Sequence, residues 1–167
     1  MQLPLKPSGA NAFDPMTQRE QAALLADATA LQAAAGAGIV DPLLRGKKFG
    51  LLCECVDDAD AALFRLAAVE LGAHVACIST NLSGLSTPEE VQRTARMLGR
   101  LYDAVECQGM PPAMVRQVRA EAGITVYDGV ASKNHPTARL ADSLGGAASP
   151  ADRRRFVLQA VLLNMTA

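Results

Sequence analysis

Short apolar runs alternate with longer mixed segments along most of this chain. Lys48–Cys53, Ala73–Ser79, Ala104–Cys107 and Ile124–Tyr127 are brief, apolar and bounded by polar or glycine residues, which predicts four buried strands. Between them, segments 58–71, 88–101 and 112–122 have the length of crossover helices. Strand and helix alternating in this order predict a parallel sheet with right-handed crossovers, hence an α/β fold. Thr17-Gln18-Arg19-Glu20 reads as a capping box, in which the Thr hydroxyl accepts from a helical N–H and Glu20 reaches back to the cap. The Ala/Leu-rich helix it opens runs to about Ala35 and stops at Gly36-Ala37-Gly38. Thr87-Pro88-Glu89-Glu90 combines a cap, an N1 proline and a box glutamate. After the joint Gly145-Gly146-Ala147-Ala148, Ser149-Pro150 starts a last helix, about 150–165. Its broad apolar face of Phe156, Ala160, Leu163, Val157 and Val161 must dock on something. Residues 1–16, with Pro4, Pro7, Gly9 and Pro15, have no periodicity and read as an arm, leaving 17–167 as a single domain.

Charge narrows the function classes. Sixteen basic and seventeen acidic residues give a net charge of -1, which removes the electrostatic case for nucleic acid or an anionic membrane as partner. No apolar run reaches the ~20 residues of a membrane span, so a soluble protein is expected. Cys53, Cys55, Cys77 and Cys107 fall in or beside apolar runs and no signal-peptide pattern opens the chain. That predicts a reduced, cytoplasmic chain with buried or half-buried thiols. Cys53-x-Cys55 lacks the spacing of a metal or redox motif, and neither a metal nor a cofactor is expected.

Ligands of parallel sheets gather at the carboxyl ends of the strands, here Glu54–Asp60, Thr80–Ser86, Gln108–Met110 and Asp128–His135. The first of these is the turn into a helix N-terminus, where backbone N–H groups favour anions. It carries Glu54, Asp57, Asp58 and Asp60 and no basic side chain. Two readings follow. The aspartates cap the helix and oppose its dipole, at roughly 0.3–1 kcal/mol each; or, with Asp57 and Asp60 spaced i, i+3, they hold a cation or an amine. His135 before Pro136 is either structural or a catalytic remnant; His74 reads as structural. Arg153-Arg154-Arg155 reads as a solvated helix face rather than an anion patch, and Lys47 and Lys133 have no constellation around them.

With these elements placed, the sequence resembles the carbamoyl-phosphate-binding half of the aspartate/ornithine carbamoyltransferase family. The residues that carry the resemblance are Leu44-Arg45-Gly46-Lys47-Lys48, Phe64, Ala67-Ala68 and Leu71-Gly72-Ala73-His74-Val75. Thr94-Ala95-Arg96-Met97-Leu98-Gly99-Arg100, Asp103-Ala104, His135-Pro136 and Leu140-Ala141-Asp142 continue it in order. The resemblance implies a three-layer fold with helices on both faces of a four-stranded sheet in the order 2-1-3-4. It also implies that Asp152–Leu162 corresponds to the family's returning C-terminal helix, with the amino-acid-binding domain between 142 and 152 absent. The family's Ser-Thr-Arg-Thr-Arg phosphate grip reads Asp57-Asp58-Ala59-Asp60-Ala61 in this register. The arginine that polarises the carbamoyl carbonyl aligns with Gln108. Segment 80–87 lacks the lysine or glutamine lent to a neighbouring subunit, and the glutamine expected after His135-Pro136 is Ala138. His135 is the surviving polar group.

The resemblance thus implies a degenerate ligand site of Asp57, Asp58, Asp60, Gln108 and His135. A phosphate dianion ~4 Å from one carboxylate is repelled by roughly 2 kcal/mol even in bulk water. The expected function is a catalytically inactive homologue acting as an assembly or regulatory subunit, trimeric as the family's first domain implies, and able to mix with a full-length carbamoyltransferase chain. The alternative is a small-molecule binder or transferase with a phosphate-independent site at the same strand ends, which requires the three aspartates and His135 to converge on one pocket.

Overall fold

The computed structural model describes residues 16–55, 57–84 and 86–166. Apart from Met16, the arm predicted over 1–16 lies outside the described residues. β1 (Lys48–Leu52), β2 (His74–Ile78), β3 (Ala104–Cys107) and β4 (Thr125–Asp128) form one parallel sheet in the order β2-β1-β3-β4. Each predicted strand is present within a residue or so of its expected bounds. In register, Leu51 lies opposite Cys77 on one side and Glu106 on the other, and Glu106 lies opposite Tyr127. The chain leaves β1 for β2 on one side and then returns past it to β3, so strand order reverses between β1 and β3. A crevice at the carboxyl ends of these two strands is where such sheets bind ligands.

Alternation along each strand sorts the core into two faces. On one, Phe49, Leu51, Ala104 and Tyr127 pack under α2 (Ala59–Glu70) and α5 (Pro150–Thr166). Phe49, Phe64 and Tyr127 form a ring triangle with centroids 6.2–6.4 Å apart. In a chain this poor in aromatics, burying each such ring contributes about 2–3 kcal/mol. On the other face Leu52, Val105, Cys107 and Val126 meet α3 (Pro88–Leu101) and α4 (Pro112–Ala122). α3 and α4 touch at Gly99, where an added Cβ would sit 1.9 Å from the Ala122 carbonyl oxygen. Only a hydrogen fits there.

α1 (Gln18–Gly36) and the 3-10 helix Pro136–Ser143 lie against α5 on the side away from the sheet, through Ala28, Leu140, Ala141, Leu144, Phe156, Val157 and Ala160. Both capping boxes form as predicted: Thr17 and Thr87 accept from Glu20 N and Glu90 N, and each glutamate accepts from its cap N–H. α5 departs from the expectation of one apolar face. Residues 156–162 are all buried, because α2 and the sheet cover one side and α1 and the 3-10 helix the other. Its buried Gln159 is satisfied by Ala67 O and Glu70 Oε2.

Two further expectations are corrected. Arg153, Arg154 and Arg155 are half-buried rather than solvated: Arg153 donates to Ala148 O, and Arg155 pairs with Asp152 and, at 2.9 Å, with Glu70. Of the thiols, Cys107 is buried and Cys53 half-buried, but Cys55 and Cys77 are exposed. Cys77 is exposed because β2 is the edge strand and its surface is only partly roofed by α2.

Candidate functional site

The β1–α2 turn puts Asp57 and Asp58 in solvent and Asp60 half-buried in the first helical turn. Asp58 occupies the N-cap position with extended backbone (φ -61°, ψ 140°), yet its side chain makes no capping hydrogen bond. The capping reading therefore holds for position and not for the bond. Burial, then the neighbouring Asp58, raises the Asp60 carboxyl above its ordinary range, while Arg154 and Lys133 pull it down. Among the described residues no three His, Cys, Asp or Glu side chains converge as a metal-ligand set. The turn therefore offers no metal-ligand set for the cation reading.

His135 opens the 3-10 helix as its N-cap. Its Nδ1 accepts from Thr137 N at 3.3 Å and lies 2.8 Å from Thr137 Oγ1, so the ring proton resides on Nε2 in the neutral form. Burial, with Arg154 nearby, pushes the imidazole down to about 4, which keeps it neutral. A cleft of about 550 Å³ beside it is lined by Met16, Gln21, Lys133, Asn134, Pro136, Arg139 and Leu140. None of the three aspartates is among its walls. The turn and the histidine share two neighbours: Arg154 acts on both, and Lys133, which lines the cleft beside His135, also acts on Asp60.

Gln108 follows β3, its backbone N–H bonded to Leu52 O. Its side-chain oxygen and nitrogen are both buried without a hydrogen-bond partner. Two further residues bear on these strand ends: Glu106, which no motif in the sequence marks, and Arg154, expected on a solvated helix face. Glu106 has no exposed surface; one carboxyl oxygen accepts from Val130 N at 3.3 Å and the other has no partner. Burial pushes this carboxyl up to about 8 against the restraining N–H groups of residues 129–131. Arg154, reaching over from α5, donates through Nη2 to Val130 O (2.6 Å) and Ser132 O (3.3 Å), and its Nε and Nη1 are buried and unpartnered. Burial lowers its pKa, and Asp60 and Glu106 oppose that. Loop 129–132 is thus held by a carboxyl on its N–H side and a guanidinium on its C=O side. A signal for Glu106 was available, since a charged residue inside a four-residue apolar strand of a parallel sheet must be buried. For Arg154 the signal was its i, i+4 spacing to the core residue Leu158.

Chemically, the strand ends offer one amide, one neutral-leaning carboxyl and one guanidinium with unused hydrogen-bonding capacity, faced by an acidic turn. Orphaned buried polar groups lose roughly 1–3 kcal/mol each unless a partner arrives. The arrangement offers unused hydrogen-bonding capacity to a small polar group.

Comparison with known proteins places this geometry. The family profile described as aspartate/ornithine carbamoyltransferase, carbamoyl-P binding domain, matches residues 11–145. An ornithine carbamoyltransferase of Actinobacillus pleuropneumoniae is 37% identical over 128 residues, which are 77% of this chain and 38% of that protein. The ornithine carbamoyltransferase of Pyrococcus furiosus superposes with a TM-score of 0.65 at 25% identity, over 76% of this chain and 41% of that one. Ligand-free aspartate transcarbamoylase from Trypanosoma cruzi shares the fold, with a TM-score of 0.64 at 21% identity, over 83% of this chain and 44% of that one. This chain therefore spans about two-fifths of the length of the relatives it matches. The parallel sheet in the order β2-β1-β3-β4 and the match over residues 11–145 together make the chain a member of the aspartate/ornithine carbamoyltransferase family, through its carbamoyl-phosphate-binding domain.

Proposed function

We propose that this chain is a catalytically inactive branch of its family that acts as an assembly or regulatory subunit. The observation that carries the reading is the acidic β1–α2 turn: Asp57, Asp58 and Asp60 stand where the family places its phosphate grip, at a helix N-terminus that offers its own dipole to an anion. Three carboxylates there outweigh that dipole, since each repels a phosphate dianion by roughly 2 kcal/mol in water and by more in a cleft. Arg154 does not restore the balance. Two of its bonds go to Val130 O and Ser132 O, and Asp60 and Glu106 face its charge. Family precedent for the first domain supports a homotrimer of a single cytoplasmic domain, and a full-length carbamoyltransferase chain is the natural partner for mixed assembly. Calorimetry with carbamoyl phosphate should show no uptake, and neither citrulline nor carbamoyl-aspartate should form; turnover of either acceptor overturns the reading.

A second reading, a phosphate-independent small-molecule site, is favoured by the unpartnered polar atoms of Glu106, Gln108 and Arg154. It does not have the convergence that Asp57, Asp58, Asp60 and His135 would have supplied. Stabilisation of the protein by an uncharged amide or urea, lost in Gln108→Leu, would support it. Indifference of the melting temperature to such compounds at millimolar concentration would count against it.

A further inference from the structure

Three of the four cysteines lie close together beside the β1–α2 turn, where Cys77 and Cys55 both act on the Cys53 thiol. Cys77 on β2 is paired directly with Leu51 on β1. Cys53 lies two residues beyond Leu51 and one past the end of β1, so continuing the strand's alternation places Cys53 and Cys77 on the same, α2-covered side of the sheet. Packing agrees, since Cys53 and Val75, the residue two before Cys77, both rest on the cluster that contains Leu51 and Phe64. The register places their Cα atoms roughly 8 Å apart, from a strand spacing of about 4.8 Å and two rises of about 3.3 Å. That is just over the longest separation a disulfide spans. Cys53 has already left β1 for the turn to α2, where a shift breaks no sheet hydrogen bonds. The proximity is also electrostatic: burial raises the Cys53 thiol most, with Cys77 and then Cys55 adding to it. Arg65 of α2 donates from Nη2 to Cys77 Sγ, whereas Cys55, equally exposed, has no such donor among the described residues.

We propose that Cys77 and Cys53 form an oxidisable dithiol that closes to a disulfide on exposure to a hydroperoxide. The roles follow from the surroundings. Cys77 is exposed and carries a cationic donor on its sulfur, which stabilises negative charge developing there, so it attacks first. Its sulfur takes the terminal peroxide oxygen, the O–O bond breaks, and the electron pair leaves on the alkoxide, which gains the thiol proton and departs as the alcohol. Cys53, whose thiol burial keeps protonated at rest, then gives up its proton as its sulfur attacks the resulting Cys77 sulfenic acid. The S–S bond forms and hydroxide leaves with the Cys53 proton as water. In sum, two thiols and one hydroperoxide give one disulfide, one alcohol and one water, the two electrons passing from sulfur to oxygen. Because the bridge requires the turn to move, it is strained and readily reduced again by a dithiol. Closing it draws on the segment that carries Asp57, Asp58 and Asp60, so the oxidation state of this pair sets the position of the acidic turn.

The test is independent of whether the chain is an enzyme. The folded protein is titrated with hydrogen peroxide and each product is mapped by peptide mass spectrometry without reduction. The parent and Cys55→Ser should lose two hydrogen masses and two titratable thiols per chain, linking Cys53 to Cys77. Cys53→Ser should stop at a sulfenic acid that dimedone traps on Cys77, and Cys77→Ser should form neither product. Arg65→Ala should slow the first step on the order of threefold. The proposal is overturned by a bridge that persists in Cys77→Ser, by a disulfide joining two chains, by a bridge through Cys55, or by Cys77 reacting no faster than Cys55.

Discussion

A carboxyl with no exposed surface, one oxygen bonded to Val130 N and the other unpartnered, is more stable neutral than charged. The Glu106 carboxyl rises from 4.5 to about 8 in the fold, so between these values the folded state holds a proton that the unfolded state has lost. Its contribution to stability is therefore complete below pH 4.5 and is lost as pH rises through about 8, with a slope on the order of 1 kcal/mol per pH unit. Glu106→Gln should flatten that decline, and urea denaturation at pH 5 and pH 8 measures it: the variant's advantage must be larger at pH 8. His135 works in the opposite sense. Its folded value of about 4 against 6.5 means the unfolded chain binds the extra proton, so stability falls as pH drops through that window. The two residues oppose each other between pH 4.5 and 6.5 and leave Glu106 in control above it. Arg154→Met keeps the aliphatic reach but strands two carbonyls at Val130 and Ser132. A loss of about 2–3 kcal/mol in chemical denaturation is expected, and a loss under 0.5 kcal/mol would mean that solvent satisfies those carbonyls.

At the scale of the elements, α3 and α4 depend on one missing side chain. Gly99→Ala would set a methyl carbon 1.9 Å from Ala122 O, a backbone atom that cannot swing aside. Overpacking of this kind should cost about 1–3 kcal/mol or more, visible as a lower melting temperature with unchanged far-UV circular dichroism. A Gly-to-Ala change at Gly84, where nothing lies within 4 Å, is the control. Elements were the part of the fold most legible in the chain. The strands, both capping boxes and the proline start of α3 each rest on residues near one another in sequence, and each forms as predicted. α5 was legible as a helix and not as a wholly buried one, because what roofs it, α1 and the 3-10 helix, comes from distant parts of the chain.

For the molecule as a whole, the acidic turn predicts an absence of response. A ligand at a hundred times its dissociation constant stabilises the folded state by about 2.7 kcal/mol, a shift of several degrees. Carbamoyl phosphate at millimolar concentration should produce none, and a clear upward shift would contradict the proposed loss of phosphate binding. Light scattering behind size exclusion should return three times the 17.5 kDa chain mass at micromolar concentration. A monomer there would remove the assembly role and leave only the small-molecule reading. The net charge of -1 adds no repulsion between copies at neutral pH.

The linear pattern of residues was sufficient for the element order, the parallel sheet and the acidity of the β1–α2 turn, because hydrophobic periodicity, caps and charge are read over a few consecutive positions. It could not say that Asp60 and His135 share Arg154 as a neighbour, that Glu106 lies beneath loop 129–132, or that Cys53 and Cys77 share a face. Those facts arise from strands and helices brought together across long stretches of chain. The protonation and reactivity of a side chain follow from which distant groups desolvate it and which charges they place beside it.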